Sequence, residues 1–257
     1  MDSMQGSGSL RAPSFRLRTY TVPKATFLLI DIKNFTAQCA ALPAGRVGEW
    51  VAAFYKRVDA AAAAHGVSKV EVRGDCCVCV AGAEGAVPCR RRDGRGGAAV
   101  EDRRGDQATR MLAFAADLHA DLVSLKPCAG VSSATQTRMG MATGKVTLLA
   151  SDAGPGTAAF ASVQGDAARL AAQMEALAGP GAVHVHQSTA IKWAAEARAP
   201  PPATVRVHCD GLGAQRAAVF DCAARAFLPA PPAPTRAAAA AAGGVAARLR
   251  NILSAGF

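Results

Sequence analysis

The chain has 257 residues, of which 51% are hydrophobic and 19% charged, with a formal net charge of +10. That length fits one large domain, or one domain with tails, and supplies a sizeable core even though alanine makes up much of the apolar share. No run approaches the ~20 apolar residues of a membrane-crossing helix, and residues 1–18 lack the apolar centre of a secretory signal. Both features point to a cytoplasmic protein, alone or as part of a larger receptor or membrane protein.

A basic balance suits an anionic partner, which can be nucleic acid, a membrane surface or a small anionic substrate. It also serves solubility alone. The eight cysteines do not follow the spacing of a small disulfide framework. Cys76, Cys77 and Cys79 fall on one predicted strand without the C-x-x-C spacing of a zinc site, and read as buried thiols in a reducing compartment.

In chain order, residues 1–22 read as a disordered leader. The run Ala25-Thr26-Phe27-Leu28-Leu29-Ile30-Asp31 has no helical period and predicts a buried strand ending in an acid. Residues 32–36 form a loop that runs into a helix. Val47, Trp50, Val51, Phe54 and Val58 are that helix's inward stripe, and His65-Gly66 ends it. A hairpin is predicted over residues 68–82, with Gly74 supplying the positive φ of the turn and Asp75 at the tip. Residues 83–105, which include Cys89-Arg90-Arg91-Arg92-Asp93-Gly94-Arg95-Gly96-Gly97, predict a solvated flexible basic loop. The tract is short, mixed with acids and free of aromatics, so no specific nucleic acid is expected.

Asp106 predicts a helix cap, and Met111, Phe114, Ala115, Leu118 and Leu122 the buried stripe behind it. A polar link at 124–135 leads to two strands, 137–143 and 145–150, around Gly144. After a glycine-rich turn at 152–157, Gln164-Gly165-Asp166 opens a helix with Leu170, Met174 and Leu177 facing inward, and Gly179-Pro180-Gly181 stops it. Residues 182–186 return as a strand carrying His184 and His186, two histidines without a third metal ligand. Residues 204–222 give a last pair of strands. The domain is thus expected over 23–225, followed by an Ala- and Pro-rich tail over 226–257 with a short amphipathic helix at 245–253.

This order predicts an α+β fold, a ferredoxin-like βαββαβ core sheet with helices packed on it. In a split βαββ unit the second hairpin strand lies antiparallel beside the first strand, which brings Asp31 next to Asp75. Two adjacent carboxylates repel each other unless a cation sits between them. Their oxygen donors suit Mg²⁺ or Mn²⁺, bound together with substrate phosphates. The alternative is a turn acid and a helix-cap acid with no ligand.

Four blocks carry a resemblance. They are Phe27-Leu28-Leu29-Ile30-Asp31-Ile32-Lys33-Asn34-Phe35-Thr36, then Lys69-Val70-Glu71-Val72-Arg73-Gly74-Asp75-Cys76, then Arg138-Met139-Gly140-Met141-Ala142-Thr143-Gly144-Lys145-Val146, and finally Gly165-Asp166 through Met174-Glu175 to Val185. In this order and over residues 22–222 they resemble the catalytic domain of class III nucleotide cyclases, the adenylate and guanylate cyclases. The resemblance implies cyclisation of a nucleoside triphosphate by attack of the ribose 3′-hydroxyl on the α-phosphate, with two Mg²⁺ or Mn²⁺ ions. It further implies that Asp31, Asp75 and the Ile32 carbonyl hold the metals. Asn34, Phe35 and Thr36 would offer backbone N–H groups to the phosphates, and Lys145 a point charge.

The family builds its site across a dimer, the second domain bringing an Asn, an Arg and a late Lys. This chain has Arg169, Gln173 and Leu212 at those positions. It therefore resembles the metal-bearing half of a heterodimer, whose partner is a second cyclase domain. Glu71 and Ser162 fall at the base-reading positions. A carboxylate at 71 accepts from the N1–H and amino group of guanine, which favours GTP over ATP, unless Glu71 lines the second, degenerate pocket or is a plain strand residue. The competing expectations are an adenylate cyclase subunit and a catalytically silent regulatory or dimerisation partner.

Overall fold

The computed structural model describes residues 17–83, 106–127, 134–152 and 158–229. The basic loop beyond Ala83, most of the glycine-rich turn, the first sixteen residues of the leader and the tail from residue 230 lie outside the described residues.

Among the described residues a nine-stranded sheet runs β2-β3-β1-β4-β6-β8-β7, with β5 paired to β4 and β9 to β8. The strands are β1 (Leu17–Ile32), β2 (Ser68–Arg73), β3 (Cys76–Ala81), β4 (Thr137–Asp152), β5 (Ala158–Gln164), β6 (Ala182–His186), β7 (Val205–Cys209), β8 (Gly213–Asp221) and β9 (Ala226–Phe227). The helices are α1 (Phe35–Ala40), α2 (Ala44–His65), α3 (Gln107–Leu122), α4 (Asp166–Leu177) and α5 (Gln187–Ala197). The β4-β1-β3-β2 half, with α2 and α3 as crossovers, is the expected βαββαβ core.

The pleat divides the core into two faces. Leu28, Ile30 and Ile32 of β1, with Cys77 and Cys79 of β3, meet Trp50, Phe54 and Val58 of α2 and Met111, Phe114 and Leu118 of α3. Phe27 and the neighbouring Val78 and Val80 point the other way and pack with Ala167 and Ala171 of α4. Arg110, almost fully buried, closes the end of α2 by donating from Nη1 to the carbonyls of His65 (3.1 Å) and Gly66 (2.6 Å). Cations are favourable at that end of a helix dipole.

Several boundaries differ from the sequence expectation. Strand β1 begins at Leu17, so residues 17–22 of the expected leader are paired with β4. Pro23 sits at an irregularity in register between Val22 and Ala25, where a missing ladder donor is tolerated. Strand β4 runs unbroken through Gly144 instead of forming two strands. The residues before α4 form β5, and α4 itself begins at Asp166. Helix α5 was not expected. Ala226–Phe227, placed in the tail, pairs with β8. Asp106 makes no side-chain cap on α3; its Oδ1 instead accepts from Arg110 Nε at 2.7 Å.

Candidate active site

Asp31 lies one residue from the carboxyl end of β1, opposite Arg138 of β4. One strand over, Ile30 pairs with Cys77 of β3, and the β2–β3 turn follows immediately, with Gly74 at φ 60°. That register sets the two half-buried acids side by side, as the topology predicted. The Asp75 carboxyl is pushed up to about 6, first by burial, then by the charge of Asp31, to which it is also hydrogen-bonded. The turn is tied down from α2: the Tyr55 hydroxyl donates to the Gly74 carbonyl, and the Cys76 carbonyl is 3.4 Å away. Burial, then the neighbouring Cys77 and Cys76 and the two acids, raise the Tyr55 phenol, so it stays a donor.

Two residues that sequence reasoning passed over complete the site. Arg138 Nη2 donates to Asp31 Oδ2, and Arg138 Nε lies 3.1 Å from Glu175 Oε1 on α4. Glu175 is buried and pushed up to about 7, mainly by that burial and then by the charge of Asp31. The signal for Arg138 was present in the third motif block, where it stands directly across the ladder from Asp31. Helix α4 reaches this close because Gly140 has no side chain: a Cβ there would meet Glu175 N at 2.0 Å and Ala171 O at 2.1 Å.

Lys145 is not brought to the acids. It is exposed on the same strand as Arg138, about 23 Å further along at a rise of roughly 3.3 Å per residue. The cation beside Asp31 is Arg138. Asn34 opens α1 in the left-handed region (φ 58°) without a side-chain cap bond. The Phe35 ring packs on Trp50 at 5.5 Å between centroids, leaving the backbone N–H groups of Phe35 and Thr36 outside the intrahelical ladder.

Glu71 and Ser162 are brought together. The Glu71 side chain, 9% exposed, accepts the Val163 N–H at 3.1 Å and pairs with Arg73, so β2 is tied to β5 beside Ser162. Two carboxylates and a strand-end carbonyl match the small protein donor set that Mg²⁺ takes when substrate phosphates complete its shell. Among the described residues no group of three or more His, Cys, Asp and Glu is arranged to hold an ion. His184 and His186 are both lowered by burial, and His186 Nε2 meets Gln215 Oε1 at 3.1 Å, an internal role. A groove of about 590 Å³ lined by Leu112, Trp193, Phe220 and Phe227 contains none of the candidate residues.

The model of the adenylate and guanylate cyclase catalytic domain matches residues 17–198. The chain belongs to the class III nucleotide cyclase family. Among solved structures it is similar to the guanylate cyclase domain of RhGC from Catenaria anguillulae in complex with GTP, with 24% identity, TM-score 0.59, and 77% of this chain and 95% of that one covered. It is similar to the catalytic core of a rhodopsin-guanylyl cyclase with converted specificity in complex with ATPαS, with 24% identity, TM-score 0.58, and 78% and 95% covered. It is also similar to the adenylyl cyclase CyaB from P. aeruginosa, with 15% identity, TM-score 0.56, and 80% and 96% covered. Comparison with curated protein sequences gives no match.

In this cyclase domain the three unusual positions have partners of their own. Gln173 is buried, and its Oε1 accepts the Asp210 N–H at 3.3 Å. Arg169 is exposed and lies 3.5 Å from Asp166. Leu212 packs against the small cluster of Met174, Cys209 and Ala217. Gln173 and Leu212 thus serve the joint between α4 and the β7–β8 turn.

Proposed function

We propose that this chain is the acid-bearing half of a two-domain cyclase that converts GTP to cyclic GMP and pyrophosphate. The observation that carries the reading is the pair Asp31 and Asp75, held side by side at the end of β1, where burial and the charge of Asp31 raise the Asp75 carboxyl. Asp31, Asp75 and the Ile32 carbonyl would hold two Mg²⁺ or Mn²⁺ ions. Bound there, such ions lower the pKa of the ribose 3′-hydroxyl and neutralise phosphate charge during in-line attack.

The chain's own residues supply the rest of this half. The backbone at Asn34, Phe35 and Thr36 offers N–H groups to phosphate oxygens and Lys145 a point charge further along β4, while Arg138 faces Asp31. Glu71, with Ser162 beside it, favours guanine, because a carboxylate keeps free lone pairs after accepting one backbone N–H and one guanidinium N–H. If the partner supplies the base-reading groups beside this chain's acids, Glu71 lines the second pocket and the choice of base passes to the partner.

Mixing the chain with a cyclase domain that carries the Asn, Arg and Lys tests this. Mn²⁺-dependent cyclic GMP should form from GTP and exceed cyclic AMP formed from ATP. Asp31→Ala should abolish it; persistence of activity in that variant removes the acids from the mechanism. A second reading, a silent regulatory partner, is favoured by the internal hydrogen bond of Gln173. A neutral amide held in its own fold supplies no positive charge where a guanidinium would meet developing negative charge.

A further inference from the structure

The guanidinium of Arg138 stands between two acids and satisfies only one of them well. Its Nη2 donates to Asp31, whereas its Nε and Glu175 Oε1, though 3.1 Å apart, are misaligned. Both atoms are buried and without a hydrogen-bond partner. Leaving buried polar atoms unpaired is costly, and charged ones more so. A small rotation of the guanidinium toward Glu175 would pair both, at the expense of the bond to Asp31.

Resting on the reading of Asp31 and Asp75 as metal ligands, we propose that Arg138 is a displaceable internal counter-ion of the acid pair. In the unloaded site it holds Asp31 and offsets the repulsion from Asp75. When a divalent ion takes Asp31, Arg138 leaves and completes its ion pair with Glu175. Metal affinity is therefore set by competition between the ion and Arg138, and Glu175 biases that competition by giving Arg138 a second seat. Gly140 makes the seat available, since it lets α4 bring Glu175 to within reach of Arg138. Arg138 and Glu175 are positioning residues in this scheme, acting on the metal through Asp31.

The scheme is tested by titrating Mn²⁺ alone into the purified chain, with free Mn²⁺ read by electron paramagnetic resonance and no nucleotide present. Arg138→Gln should bind Mn²⁺ about tenfold more tightly than wild type, the scale of removing one competing charge at a half-buried site. Arg138→Lys should restore much of the competition. Glu175→Gln should weaken Mn²⁺ binding several-fold in the wild-type background and leave it unchanged in the Arg138→Gln background. An affinity in Arg138→Gln equal to or below wild type overturns the scheme, as does an equal effect of Glu175→Gln in both backgrounds. Asp31→Asn separates this failure from failure of the underlying reading: if neither wild type nor Arg138→Gln shows Mn²⁺ binding that Asp31→Asn removes, the acid pair is not a metal seat. Cooperative thermal unfolding of each variant checks that it is folded.

Discussion

The backbone nitrogen of Glu175 sits 2.0 Å from the point a Cβ on Gly140 would occupy. The obstacle is main chain on α4, which cannot rotate aside. Gly140→Ala should therefore push α4 off β4, destabilising the domain by about 1–3 kcal/mol or more, and should separate Glu175 from Arg138. Urea unfolding measures the first effect and Mn²⁺ titration the second; a wild-type unfolding midpoint would show that the helix shifts freely.

Tyr55 gives a milder probe. Removing its hydroxyl in Tyr55→Phe takes one hydrogen bond from the turn carrying Asp75, worth about 1 kcal/mol. Mn²⁺ affinity should fall several-fold, because a loosened turn lets Asp75 retreat from Asp31. Unchanged affinity alongside lowered stability would make Tyr55 a purely structural anchor.

The buried acids also predict an unusual pH response. Glu175 is raised to about 7 and Asp75 to about 6, so the folded chain keeps protons that the unfolded chain releases near pH 4 to 4.5. Their contribution to stability is complete below that range and is lost as pH rises through about 6 and 7. The thermal midpoint of metal-free protein should drop between pH 5 and pH 7.5, and Glu175→Gln should flatten the upper part of the drop. Saturating Mn²⁺ should lessen it by stabilising the charged form of Asp75. A midpoint that rises over this interval contradicts the assignment of both groups.

Restoring Gln173→Arg together with Arg169→Asn should give the chain alone measurable cyclase activity if those groups are what it lacks. Product analysis with GTP and with ATP would then also fix the base. Because Gln173 holds the Asp210 N–H, the exchange should cost about 1 kcal/mol of stability. A folded but inactive double variant favours the silent-partner reading.

The meeting of Asp31 with Asp75 was legible because it follows from strand order alone: a run ending in an acid, and a hairpin tip at the same edge. Glu71 and Ser162 were set at the two base-reading positions by the family resemblance alone, and the strand β5 that carries Ser162 was not expected. What sequence could not supply was register along two long strands. Arg138 and Lys145 belong to one motif, and only the pairing of Asp31 with Arg138 tells which end of it meets the acids. Helix α5 escaped because its buried positions include Thr189, Ala190 and Ala194, small residues with little hydrophobic signal. Strand β1 is longer than expected because the sheet absorbs Pro23 at the register shift between Val22 and Ala25.

Cys77 and Cys79 sit on β3 directly after the Asp75 turn, are fully buried, and lie on the α2–α3 side of the sheet. The Cys77 thiol is held well above its ordinary range by its hydrogen bond with Cys79 and by burial. Neither sulfur can be alkylated while the strand stays in place, since the reactive species is the exposed thiolate. The protein thus carries a native reporter: the rate at which an alkylating reagent modifies these two positions measures how often β3 detaches, and with it how often the floor beneath Asp75 gives way.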